Sequence, residues 1–310
     1  MKWLLAGASG FLGTALRVRL ASEDHQVVRL VRRAPATSTE FRWDPDAGEL
    51  DDSALEDVDV VVNLGGVGAF TGLWTESRRA AIRSSRVNTT QTITRALAGL
   101  PGRRPTLIQA SATGRYGPVA NAVPFTEDDL AAPDFLAQVV VAWEAAAQPA
   151  VEAGVRTVFL RISPVMDSSG GPFVPMRLAW SLGLGATIGD GHQHMPMISL
   201  DDWLGVVQWA GDTPHASGPY NLTIPEPTTN LEFTDELARQ LHRPRLLRAP
   251  SSVLTRALGE LSQQLLGDMY VVPRRLQADG YRFYYPDVAA TVGAALRRPG
   301  PSDPDTKLTP

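Results

Sequence analysis

The sequence contains no cysteine. Disulfides, thiolate metal sites and a cysteine nucleophile are therefore excluded, and five scattered histidines without metal-ligand spacing lead us to expect no metal. No apolar run approaches the length of a membrane span. The N-terminus enters an apolar segment with no signal peptide before it, so a cytoplasmic protein with no membrane partner is expected. An excess of one charge is lacking too. The 29 Lys and Arg stand against 33 Asp and Glu, a net −4 with both signs interspersed, which gives no electrostatic footprint for nucleic acid or an anionic membrane. There is no internal repeat. What remains is 310 residues, 44% hydrophobic and 20% charged, an ordinary soluble composition in a chain long enough for two domains.

The most informative segment comes first. An apolar run, Trp3-Leu4-Leu5-Ala6, leads into Gly7-Ala8-Ser9-Gly10-Phe11-Leu12-Gly13 and then a helix-compatible stretch, Thr14 to Leu20. Strand, glycine turn and helix in this order aim the first backbone N–H groups of the helix, with the positive end of its dipole, at one point where a pyrophosphate can bind. Gly7 is expected to make the tight turn, Gly10 to admit the pyrophosphate against bare backbone, and Gly13 to let the helix pack on the strand. Ser9, Phe11 and Leu12 complete this set of cofactor candidates.

Short β-branched or apolar runs at His25–Val31, Asp59–Asn63, Thr106–Ala110 and Arg156–Ile162 alternate with helical patterns, the longest at Trp74–Leu100 and Phe135–Ala153. This alternation predicts an α/β fold, a Rossmann-type doubly wound parallel sheet, with a smaller C-terminal α/β substrate domain. After Ile162 the texture turns Gly- and Pro-rich, with one more strand at Asn221–Thr223 and helices at Thr229–Leu241, Ser252–Leu266 and Asp287–Arg297. The expected organisation is a nucleotide-binding domain over 1–165, with returning segments including 199–224, a smaller substrate or partner domain over 166–298, and a disordered tail at 299–310.

In this fold the end of the second strand discriminates between NAD and NADP, an acidic residue bonding the ribose 2′-hydroxyl and an arginine accommodating a 2′-phosphate. Arg32 and Arg33 stand there, which favours NADP(H) unless they are two solvated surface arginines. Leu64-Gly65-Gly66, where a buried strand ends in small residues, is a third expected contact, beside the adenosine ribose and phosphates.

With these residues placed, the chain resembles the extended short-chain dehydrogenase/reductase superfamily, which contains the nucleotide-sugar epimerases. It is most similar to an atypical epimerase-like branch that includes a group linked by name to cell division and ends in a small C-terminal module peculiar to it. The carrying motifs are Gly7–Gly13, Leu64-Gly65-Gly66, Gly72 to Glu76 with Ile82 to Arg86, Ala110-Ser111-Ala112 with Tyr116-Gly117, and Asp134 to Leu136 with Trp143-Glu144. Leu160-Arg161, Gly189 to Met195, Asp201-Asp202, Asn221 and Pro273 to Leu276 through Tyr285-Pro286 continue the match.

Superfamily catalysis relies on a Tyr and a Lys four residues apart on one helix, with a Ser from the preceding strand. The resemblance assigns Ser111 to the serine. Counting back from Glu144 puts Leu136 and Val140 at the Tyr and Lys positions, neither of which titrates, and the branch is similar in lacking the pair. Tyr116 is the one tyrosine near Ser111 in sequence, either a substitute proton donor or a packed strand-end residue. Arg86 replaces a usual asparagine and is read as a ligand-facing or a solvated guanidinium. Arg115 stands where the branch more often has an aromatic residue. The resemblance further implies cofactor contacts from Ala110 and from Ser163-Pro164 near the nicotinamide.

Ligands of open α/β sheets sit outside the carboxyl ends of the strands, and a small-molecule ligand is expected in the crevice there, between the domains. The substrate-side candidates are Trp74, Arg83, Arg161, Gln193 and Arg274, although Trp74 also suits a core and Arg274 a helix cap. His192 and His194 are read as loop residues. Two functional readings follow: an NADP(H)-dependent oxidoreductase or epimerase acting on a small sugar-related or anionic substrate, and a non-catalytic NADP(H)-binding regulatory protein acting through a protein partner.

Overall fold

A computed structural model of the chain describes residues 1–120 and 122–298. The segment 299–310, expected as a tail, lies outside the described residues.

The central element is an eight-stranded sheet. In chain order its strands are β1 (Lys2–Ala6), β2 (Gln26–Val31), β3 (Glu40–Asp44), β4 (Glu49–Leu50), β5 (Val60–Asn63), β6 (Thr106–Ala112) and β7 (Thr157–Ile162). After β8 (Val165–Met166), β9 (Ala186–Ile188) and β10 (Ile198–Ser199), which lie elsewhere, β11 (Gly218–Leu222) completes it. The spatial order is β11-β7-β6-β5-β1-β2-β3-β4. β1 pairs in parallel with both β2 and β5, β2 with β3 and β5 with β6, while β4 returns antiparallel on β3. This is the Rossmann arrangement expected from the alternation of strands and helices. Strand order reverses between β1 and β5, and open α/β sheets bind ligands at the carboxyl ends of the strands flanking such a switch point. The hairpin of β3 and β4 was not foreseen in the sequence.

The described contacts divide the chain into two compact units. The first comprises Met1–Arg115, Pro133–Arg161 and Val206–Tyr220. It holds α1 (Phe11–Ser22), α2 (Glu76–Gly99), α3 (Phe135–Ala145) and α4 (Gln148–Glu152). One of its cores is built from strand residues such as Leu4, Val28, Leu30, Val61 and Leu107 against Ile93 and Leu97 of α2. The single helix expected over 135–153 is broken into α3 and α4, the second restarting with Pro149 in its first turn, where the missing N–H costs nothing.

Among the described residues, the second unit comprises Tyr116–Ala132, Ile162–Gly205 and 221–298. It carries α5 (Phe173–Ser181), α7 (Asn230–Gln240), α8 (Ser251–Leu258), α9 (Leu261–Leu266), α10 (Arg274–Ala278) and α11 (Val288–Arg297). α6 (Leu200–Asp212) runs across the division. Two small parallel pairings, β10 with β8 and β12 (Leu247–Ala249) with β9, lie outside the large sheet. Met166, Phe173, Trp180, Met197, Phe233, Leu237 and Val292 form its core. The sequence reading leaves 116–132 with the first domain. Here that segment groups with the second unit, through Phe125 bridging Val271 and Tyr116 bonding Asn221. Of the segment 199–224, residues 206–220 group with the first unit. The helix expected over 252–266 is split at Gly259, whose φ of 56° ends α8.

Candidate functional site

The glycine turn follows β1 directly. Gly7 has φ 79°, and a Cβ there would lie 2.9 Å from the carbonyl of Leu64, so the turns after β1 and β5 touch. A Cβ on Gly13 would overlap the Gly7 carbonyl and stand 2.7 Å from the Ala8 Cα, which fixes how closely α1 approaches the strand end. Gly10 differs from both. Its Cβ would meet only the Gly7 oxygen, at 3.5 Å, so the space in front of this residue is open. Gly10 is also the N-cap of α1 and provides no side-chain cap, and the first turn, with Phe11 and Leu12 half-buried, holds no acidic residue. The unsatisfied N–H groups and positive dipole end of α1 are thus available beside exposed Ser9 and Gly10, and an anionic diphosphate fits this donor set.

The turn after β5 is held by a buried amide network. Asn63 donates to Thr90 Oγ1 (3.2 Å) and Gln109 Oε1 (3.0 Å) and accepts from the Gly65 N–H (3.0 Å). Gly65 packs on Thr89, and Gly66 on Arg86. Arg86 donates to the Val67 and Ile82 carbonyls, both at 3.0 Å, and its guanidinium stacks 5.1 Å from the centre of the Trp143 ring. Burial, with the Arg78 charge adding, pushes its pKa down to about 10, so it stays a cation at neutral pH.

The two arginines after β2 part company. Arg33 forms a two-pronged pair with Glu40, Nη2 to Oε1 at 2.6 Å and Nη1 to Oε2 at 2.8 Å, and Arg29 joins the same carboxylate at 2.8 Å. The Arg33 hydrogen bonds, then the Ala36 N–H, pull the Glu40 pKa down to about 2. Arg32 is exposed, with no ion pair among the described residues, and is the guanidinium of the two that remains open to a phosphate.

At the end of β6 lies a second polar centre. Ala110 and Ser111 are buried, and the Ser111 hydroxyl donates to Glu144 Oε1 at 2.6 Å. Glu144 also receives Arg161 in two-pronged fashion, Nε to Oε1 at 2.9 Å and Nη2 to Oε2 at 3.1 Å. Arg115 stands 3.7 Å from Oε2, and its buried Nε has no partner. α3 presents this carboxylate because Asp134 caps the Leu136 and Ala137 N–H groups, fixing where the helix starts. Leu136, Val140 and Glu144, each four residues apart, then share one side. The positions matched to Tyr and Lys are buried aliphatic groups, and the one ionisable group of that stripe is Glu144. The sequence reading used Glu144 only to align the helix. Its i+4 spacing from Val140 was the available signal; its pairing with Arg161 on another strand was not readable locally.

The remaining candidates separate. Trp74 donates its indole N–H to the Ala69 carbonyl (2.8 Å) and packs edge-on against Phe135, with Arg79 over both rings. Arg83 is exposed on α2. In the second unit, Tyr116 is 1% exposed, stacks on Phe125 and donates to Asn221 Oδ1 at 2.7 Å, so its proton is already held. Ser163 donates to the Leu222 carbonyl (2.6 Å) and Pro164 is exposed. Gln193 donates to the Ile188 and Leu265 carbonyls, and Arg274 is exposed, 3.8 Å from Asp128. His194 pairs with Asp268 at 2.8 Å and stacks on Tyr270.

Residues 3–177 match the NAD dependent epimerase/dehydratase family, and residues 249–295 match a domain of unknown function, DUF1731. The chain is 42% identical over 297 residues to the epimerase family protein Mb2239 of Mycobacterium bovis, covering 96% of this chain and 98% of that one. It is 34% identical over 293 residues to the epimerase family protein YfhF of Bacillus subtilis, covering 93% and 95%. Among solved structures, the human epimerase family protein SDR39U1 (isoform 2) with NADPH superposes with a TM-score of 0.88 at 30% identity, over 96% of this chain and 100% of that one. A module at the C-terminal end, expected from the resemblance, is thereby found together with the nucleotide-binding family fold. The chain belongs to the NAD-dependent epimerase/dehydratase family.

Proposed function

We propose that this chain binds NADP(H) across the turn from Gly7 to Gly13 and acts as an oxidoreductase or epimerase on a small sugar-related or anionic substrate. The observation that carries the reading is the uncapped start of α1 with open space before Gly10, at the sheet's switch point. The NADPH in the crystal structure of human SDR39U1 supports it. A nicotinamide cofactor supplies or takes a hydride when bound. The chain's own contribution is to hold the diphosphate on the α1 N–H groups, meet the 2′-phosphate with Arg32, and shape the adenosine side with Leu64, Gly65 and Gly66. Ser111 orients a substrate oxygen, and Glu144 is the acceptor to which the Ser111 proton already points. Arg161 holds Glu144 in place, and loosely engaged Arg115 offers a cation to an anionic substrate. The second reading, a regulatory NADP(H)-binding protein acting through a protein partner, is favoured by Leu136 and Val140 in place of the Tyr and Lys pair.

Fluorescence titration tests the cofactor assignment. NADPH is expected to bind more tightly than NADH, and Arg32→Asp to weaken NADPH by about tenfold to a hundredfold more than NADH, the worth of a charge-assisted hydrogen bond. Arg33→Asp should discriminate less, because Glu40 already occupies that guanidinium. Equal constants for the two nucleotides would overturn the assignment. A metabolite-extract screen followed by NADPH absorbance separates the two readings. Turnover lost in Ser111→Ala identifies an enzyme, and silence across the screen with tight NADPH binding favours the regulator.

A further inference from the structure

Between Glu236 and Glu260 the sequence has no acidic residue and five arginines, in a chain whose overall balance is −4. Two of these arginines are neutralised internally, Arg239 by Glu236 and Arg245 by Asp235, and Arg243 donates to the Ser181 carbonyl. Arg248 and Arg256 are exposed and make no ion pair among the described residues. The whole-chain charge balance hides this local excess.

The same stretch is unusually apolar for a surface. Residues 181–184 and 242–248 are exposed without interruption. Leu182 and Leu184 are 66% and 65% exposed, and Leu246 and Leu247 80% and 45%. The fold brings the two segments side by side. β12 pairs with β9 in the register Leu247 to Ala186, which sets Leu246 and Leu247 beside the turn carrying Leu184, and the Arg243 bond to Ser181 ties the other end. α8 follows at once and buries none of its residues, with Val253 58% exposed. Exposed aliphatic groups gathered in this way mark an interaction surface.

We propose that this exposed surface of the second unit docks on an anionic lipid surface. The proposal is independent of the cofactor and reaction assigned above. Charge complementarity sets the sign, since unpaired arginines flank the leucines and no carboxylate opposes them within the stretch. The kind of side chain sets the class of occupant. Protein interfaces are anchored by tryptophan, tyrosine and arginine, with leucine and valine under-represented among the residues that carry the binding energy. Here the exposed apolar groups are leucines and a valine. A bilayer requires no matching shape. It takes aliphatic groups into the acyl boundary while guanidinium groups meet lipid phosphates, and stable peripheral attachment takes both signals together.

Sedimentation of the full chain with vesicles decides the matter. The chain is expected to co-sediment with equimolar phosphatidylglycerol–phosphatidylcholine vesicles, to be released by salt, and to ignore pure phosphatidylcholine. The paired variants L246S/L247S and R248E/R256E are each expected to lower partitioning about tenfold or more. All four positions are exposed, so an unchanged thermal midpoint confirms that the variants fold. Absence of binding to the anionic vesicles, or binding insensitive to either pair of substitutions, overturns the proposal. So does vesicle silence with retention on polyglutamate that R248E/R256E abolishes, which would assign the surface to an acidic protein. Self-association that L246S/L247S disperses, with no vesicle binding, overturns it in favour of a second copy of the chain.

Discussion

The turn after β1 and the stripe along α3 lie in the same unit and treat their polar groups in opposite ways. At the turn, backbone N–H groups and Arg32 are left facing outward, with neither a capping side chain nor a carboxylate to engage them. Around Glu144 of α3 the polar groups engage one another: Ser111 donates to Glu144, Arg161 pairs with it, and Arg115 stands 3.7 Å away. One region is built to receive charge from outside, the other to balance charge within. The contrast teaches that two polar centres of one unit can rest on different kinds of residue. The first uses glycines and a helix end; the second uses a carboxylate, two guanidinium groups and a hydroxyl, on a helix whose stripe otherwise carries buried Leu136 and Val140.

The comparison breaks most sharply at Gly10. Gly10→Val should abolish NADPH binding in a fluorescence titration while circular dichroism and the melting transition stay close to those of the unmodified protein, since its Cβ meets only the Gly7 oxygen. Retained binding would move the diphosphate elsewhere. On the other side, Glu144→Ala leaves Arg161 buried without its counter-charge, and urea unfolding should register a loss of about 3 kcal/mol, the scale for one partner removed from a buried pair. Stability unchanged within error would mean that Glu144 is not a structural member of this centre. Tyr116→Phe removes one buried hydrogen bond from Asn221 and should cost about 1 kcal/mol. A rate loss far beyond that in any turnover found would restore this tyrosine as a proton donor.

The smallest effect concerns acid. The Glu40 carboxyl titrates near 2 in the folded protein and at the ordinary 4.5 once unfolded, so its pairing with Arg33 and Arg29 is fully stabilising above about 4.5 and is lost as the pH falls toward 2. Glu40→Gln should lower stability in the neutral region, flatten the acid limb between about 4.5 and 2, and converge with the unmodified protein as the pH approaches 2. An acid limb identical in both proteins would remove Glu40 from the account.

The sequence made the turn after β1 legible because everything it needs is local: an apolar run, three glycines and a helix that ends at Ser22. The strands at 26–31, 60–63, 106–112 and 157–162 were legible for the same reason, each being a short apolar run between helical patterns. The hairpin of β3 and β4 was not, since Glu40–Asp44 alternates only weakly and owes its burial to Trp43 in the core. Nor was the choice between Arg32 and Arg33, which depends on a carboxylate brought alongside by β3. Ser111 was found through the resemblance, but its partner lies 33 residues away on a helix, and the pairing follows from how α3 packs on the sheet. Spacing along a chain predicts which side of a helix a residue shares; it does not predict which strand that side meets.

The helix starts of this protein differ in who completes them. α2 is closed by Thr75, α3 by Asp134, α7 by the reciprocal pair of Thr229 and Glu232, and α11 by Asp287. α1 has no such residue, so its first amide protons are left to water. If a nucleotide completes that helix, folding and binding become one thermodynamic quantity there: each tenfold rise in free ligand above its dissociation constant adds about 1.4 kcal/mol to the stability of the folded state. The amides of Leu12 and Gly13 then become reporters that need no substrate, their hydrogen exchange slowing with occupancy while the side-chain-capped starts of α3 and α7 exchange as before.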